Sequence, residues 1–144
     1  MSDENKSYPS SFHMILNNNI SKAQWKSFSP KKQQAYLDTM RAFFRHLRDN
    51  FRKYLKIGQK TSTSTVKPVI VPHLEIGKVN GKLHYDVIID SAFKCRLDFT
   101  KLRHVLNKIT APYATGAIHM DVKWIGTRRK VLEYSRKDGR RVDF

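Results

Sequence analysis

Cysteine is nearly absent: Cys95 stands alone in 144 residues, which excludes an intramolecular disulfide and a cysteine-rich zinc site. No apolar run approaches the ~18–20 residues of a membrane span. The opening MSDENKSYPSS is polar and acidic and does not read as a signal peptide. A reducing, intracellular compartment fits these absences, and no internal repeat is visible. Acidic residues are also scarce, 12 Asp plus Glu against 28 Lys plus Arg, a formal net charge of +16. So large an excess repels itself in a compact fold, and a polyanion is its natural partner. No basic amphipathic helix stands apart from the core pattern, so nucleic acid is favoured over membrane.

What is present is globular. Hydrophobic residues make up 40% of the chain, too many for a disordered segment and enough for one core. Residues 1–11 read as a flexible tail and 12–144 as one domain. FHMIL, Phe12–Leu16, reads as a strand ended by Asn17-Asn18-Asn19, and Ser21–Phe28 as a short helical turn. Ser29 caps a helix with Pro30 at its first position, and apolar residues at helical spacing carry that helix to about Lys56. Its many cations read as a solvated face rather than a direct DNA contact. A loop follows over Gln59–Thr65. Asp98 or Thr100 caps a second helix with Phe99, Leu102, Val105, Leu106 and Ile109 inward. Ala117–Ile125 alternates as a strand, and a short helix runs from about Thr127 to Lys137. The order predicts an α+β fold: a central antiparallel sheet of about five strands with helices packed mainly on one face.

The most informative stretch is Val69–Ile89. Asn80-Gly81 between two alternating runs is a strong hairpin signal. A two-residue turn there sets Gly77 opposite His84, Glu75 opposite Asp86 and His73 opposite Ile88. Leu74, Ile76, Leu83, Tyr85, Val87 and Ile89 then share an apolar face, while His73, Glu75, His84 and Asp86 share a polar one. Opposed carboxylates repel unless a proton or cation lies between them. Glu75, His84 and Asp86 are therefore the candidate metal ligands, and one imidazole with two carboxylates suits Mg²⁺ or Mn²⁺ rather than structural zinc. His73 reads as a DNA contact or a support for the ligands. In the last helix Tyr134 and Lys137 share a face, with Lys130 one turn earlier. Lysines beside a phenol favour its ionised form, which makes Tyr134 a candidate nucleophile.

Three motifs occur in the order of a family. FHMILNNN, LHYD and YSRKDGRRVDF resemble the three motifs of the HUH endonuclease domain of rolling-circle replication initiators, the Rep proteins of small circular single-stranded DNA viruses and plasmids. The resemblance spans about Phe12 to Phe144. It departs at Asp86, where the family usually has a second His and in some members Gln. It implies a sequence-specific nickase that opens DNA replication. Origin DNA, single-stranded or in a hairpin, would lie across the polar face. Glu75, His84 and Asp86 would hold Mn²⁺ or Mg²⁺, and Tyr134 would attack and keep the 5′ end, with Lys137 assisting at the reacting phosphate. Arg128 and Arg129 are the expected phosphate contacts, and Asn17 is a further expected DNA contact. His119 and Lys123 lie on the strand whose polar side either reads bases or is solvated. Such proteins often continue into a helicase domain and act in the host nucleus when viral in eukaryotes, otherwise in the cytoplasm. Two other readings stand beside this one: a single-strand binding module of RNA-recognition layout, and a relaxase or transposase of the same superfamily.

Overall fold

A computed structural model describes residues 11–56, 67–79, 81–91, 95–114, 119–124 and 140–144. Four full strands, β1 (Ser11–Ser21), β2 (Val69–Val79), β3 (Lys82–Asp90) and β4 (His119–Trp124), join a two-residue β5 (Arg140–Arg141). They form one antiparallel sheet in the order β4-β1-β3-β2-β5. Helices α1 (Lys22–Ser27), α2 (Pro30–Asp49) and α3 (Phe99–Thr110) and a 3₁₀ turn (Phe51–Tyr54) complete the described elements. The α+β class is as expected.

Capping chemistry sets the helix starts. Ser21 and Gln24 bond reciprocally as a capping box on α1. The Ser29 hydroxyl accepts from the Lys32 N–H ahead of α2, with Pro30 at its first position. Of the two predicted caps for α3, Asp98 is the one used, accepting from the Lys101 N–H.

The core lies between the sheet and α2, where Tyr36, Met40, Phe43, Phe44 and Leu47 are buried at helical spacing. Tyr85 is fully buried on the sheet side, with the rings of Phe44 and Tyr36 at 5.4 and 6.5 Å between centroids. Phe44→Ala removes a fully buried ring at this junction and is expected to cost about 3–5 kcal/mol in a urea unfolding titration.

Three expectations need correction. The first strand does not stop at the asparagines but runs from Ser11 to Ser21. Asn19 takes a left-handed conformation (φ 56°) inside a register shift between Asn17 and Ser21. Its N–H donates to Asn17 Oδ1 and its own Oδ1 accepts from Lys82 Nζ, so the run forms a stitched bulge rather than a terminator. The long helix ends at Asp49, not Lys56. Asn50 Nδ2 donates to the His46 carbonyl, and the backbone tightens into the 3₁₀ turn.

The third correction is the hairpin register. Val79 pairs with Lys82 across the turn, as expected, and Gly81 has φ +63°. Beyond it Gly77 and Lys78 are inserted without a partner residue between Leu83 and Lys82, so Ile76 pairs with Leu83. A glycine tolerates the kink that such a bulge needs. Glu75 therefore stands opposite His84, and His73 opposite Asp86. The shift is by two residues, so His73, Leu74, Glu75 and the side chains of β3 keep their predicted faces.

Candidate metal centre

The bulge matters because it alternates charge. With the uninterrupted register two carboxylates would face each other. With the bulge each carboxylate has a histidine directly across the strand pair, which removes the like-charge opposition.

Pairing of β1 with β3 and β4 extends the same face across the sheet in rows. One row reads His119, Asn17, His84, Glu75, and the next Asp121, Ile15, Asp86, His73, Arg141. A third begins Lys123, His13, Ile88. The centre of this face is buried, with His84 3%, Asp86 5%, Glu75 8% and His73 2% exposed. Those values rule out a merely solvated polar surface, and buried carboxylates need cationic or hydrogen-bonding partners.

His84 Nε2 lies 3.0 Å from Glu75 Oε2 and 4.0 Å from Asp86 Oδ2. Glu75, His84 and Asp86 each offer a ligand atom within 4.8 Å of the others. The donor set fits a hard divalent cation, for which neighbouring ligands stand about 3 Å apart. The His84–Glu75 spacing already meets that, and Asp86 stands farther off. Nδ1 of His84 is buried without a hydrogen-bond partner among the described residues.

A residue the sequence reading missed is His13. Its Nε2 lies 3.3 Å from Asp86 Oδ1, with both side chains buried. One oxygen of Asp86 is held by β1 while the other points to His84. The period-two alternation of His13 with Phe12 and Met14 marked it as facing away from the core. Only the β1–β3 pairing reveals that this places it beside Asp86. His13→Ala is expected to weaken Mn²⁺ binding about 10-fold, and His13→Gln, which keeps a donor, is expected to recover part of the loss. Isothermal titration of Mn²⁺ measures both.

Asn17 and His119 fall in the row of His84 and Glu75, and His119 is exposed. Lys123 is placed by register opposite His13. Tyr134, Lys137, Arg128 and Arg129 lie outside the described residues. Among the other tyrosines, Tyr36, Tyr54 and Tyr85 belong to the core. Burial pushes the hydroxyls of Tyr36 and Tyr85 well above the ordinary phenol range and raises that of Tyr54. That is the wrong direction for a nucleophile. Tyr113 packs edge-on against Tyr36.

No protein-family model, no curated protein and no solved structure matches this chain.

Proposed function

We propose that the chain is a metal-dependent nicking and joining enzyme for single-stranded DNA, with Tyr134 as nucleophile, of the kind that initiates rolling-circle replication. The observation that carries the reading is the buried Glu75–His84–Asp86 cluster on one face of the sheet in a chain of net charge +16. A basic protein that buries two carboxylates beside an imidazole has a use for a cation there.

In this reading DNA lies along the polar face, guided by Asn17, His119 and Lys123, with Arg128 and Arg129 on phosphates. Glu75, His84 and Asp86 would hold Mn²⁺ or Mg²⁺, which would supply Lewis-acid stabilisation of charge on the scissile phosphate. The phenolate of Tyr134 attacks phosphorus, and the bond to the 3′ oxygen breaks. That oxygen takes a proton from water and leaves as a 3′-hydroxyl, balancing the proton that the Tyr134 phenol gave up to water, and the 5′ phosphate stays on Tyr134. Lys137 neutralises charge on the reacting phosphate. The phosphotyrosine retains the energy of the phosphodiester, so the reverse step rejoins a strand.

Burial of the three core tyrosines supports Tyr134 by narrowing the alternatives. The binding-module reading stacks bases on exposed rings. Among the side chains described, Val69 is the exposed large hydrophobic and no Phe, Tyr or Trp is exposed, which favours cutting over stacking. Relaxases and transposases share the chemistry, and the choice among these roles rests on the resemblance to replication initiators.

Labelled oligonucleotides test the polarity. A dye on the 3′ end should migrate with the denatured protein, and a dye on the 5′ end should appear only on a shortened free fragment. Transfer of the 5′ dye instead, or of neither, would reject the assignment.

A further inference from the structure

Among the described residues the metal face gathers histidines and carboxylates, with Lys123 and Arg141 on its strands by register, whereas most of the exposed cations lie on the helices and the turn beside them. They concentrate where the 3₁₀ turn meets the start of α3. Leu55 and Leu97 form an isolated antiparallel bridge there. Lys56 N–H donates to the Arg96 carbonyl at 2.9 Å, and Asp98 N–H to the Tyr54 carbonyl at 2.7 Å. Lys101 Nζ reaches across to the Lys53 carbonyl at 2.8 Å.

These bonds rivet two segments together and bring Arg52, Lys53, Lys56, Arg96 and Lys101 to one corner, all exposed. The same segments hold one acid, Asp98, whose carboxylate caps α3. Leu55 and Leu97 join the core that contains Tyr85. The corner therefore lies on the opposite side of the sheet from His84 and Asp86.

We propose that this corner is a docking surface for the phosphate backbone of duplex DNA, separate from the metal face. Charge complementarity points to a polyanion, and the corner is held by backbone hydrogen bonds rather than by flexible side chains alone. A dedicated single-strand groove adds base stacking on rings to its charge. Here the rings of Phe51 and Tyr54 are buried, and the exposed side chains are mostly cations. A surface of cations without rings grips backbone, and a duplex, with one charge per ~1.7 Å, offers it most densely. This surface stands independently of the nicking chemistry, so its test is run in chelator, where cleavage plays no part.

The experiment compares three proteins of confirmed fold by circular dichroism: wild type, the corner variant Lys53→Gln/Lys56→Gln/Lys101→Gln, and a control variant Lys26→Gln/Lys31→Gln/Lys32→Gln. The control removes the same charge from exposed lysines around the start of α2, whose 20 residues span about 30 Å. Binding of a short random duplex is followed by fluorescence anisotropy from about 50 to 200 mM KCl. The corner variant should lose about 10-fold or more in affinity, and its salt slope should fall by about 2–3. The control should change by less than half as much. Three results would overturn the proposal. One is an unchanged slope in the corner variant, and another is an equal loss in the two variants. The third is a loss seen on phosphatidylserine vesicles but not on the duplex.

Discussion

Tyr134→Phe is expected to yield no covalent DNA adduct, while single-stranded DNA still binds with nearly unchanged affinity. The substitution removes one hydroxyl, so neither the polyanion-binding charge nor the aromatic packing is lost. Binding strength comes chiefly from lysine and arginine against phosphate, and those residues are untouched. Removing a nucleophile from a preorganised site costs on the order of 10⁴-fold or more in rate. The three core tyrosines are buried with hydroxyls shifted up. Lys137→Ala should slow the step less, about 10²-fold, because it stabilises charge without forming a bond. A denaturing gel of each variant with labelled DNA measures the adduct directly. Persistence of the adduct in Tyr134→Phe would assign the nucleophile to Tyr113 or Tyr8.

Asp86→Ala is expected to raise the Mn²⁺ concentration needed for half-maximal cleavage at least ~10-fold. The carboxylate is shared: its Oδ2 faces His84 and its Oδ1 faces His13. Its loss removes one candidate ligand and also the carboxylate that buried His13 faces, a further cost of about 1–3 kcal/mol in stability. Asp86→Asn separates the two effects, since the amide oxygen still accepts from His13 but carries no charge. It should restore stability and leave metal affinity weak. Asp86→His recreates the usual ligand of the resembled family and should keep activity with a shifted preference among metals. Single-stranded DNA binding should survive chelation in all of them. If Asp86→Ala matches wild type at every Mn²⁺ concentration, Asp86 is not a ligand. His73, directly opposite it on β2, would then be tested next.

The hairpin shows how far residue order reaches. Asn80-Gly81 and the alternation around it sorted Tyr85 to the core and His84, Asp86 and Glu75 to the other face, and the structure has that sorting. Which residue opposes which was not legible. A two-residue bulge at Gly77-Lys78 leaves a period-two pattern unchanged, so alternation cannot detect it. The consequence was chemical: the pair read as Glu75–Asp86 is Glu75–His84 and His73–Asp86.

The asparagine run misled for a related reason. Three asparagines favour a turn locally, but β1 pairs with β3 on either side of the run, at Asn17 and again at Ser21, which keeps the chain in the sheet with Asn19 in a left-handed conformation between them. Long-range pairing overrode local propensity. His13 was hidden for the same cause, since only the strand order β4-β1-β3-β2 brings it to Asp86. The cap at Ser29 and the apolar stripe of α2, by contrast, are local features and were readable.

The central claim, a buried cation site serving a tyrosine that cuts DNA, is tested most directly by one gel. Wild-type protein is mixed with a pool of random single-stranded oligonucleotides, with Mn²⁺ or with chelator, and denatured before electrophoresis. The account predicts a protein band shifted by attached DNA in Mn²⁺, absent in chelator and absent in Glu75→Ala/His84→Ala at the same Mn²⁺ concentration. A shifted band of equal intensity in chelator, or none with Mn²⁺ although the pool binds, would contradict it.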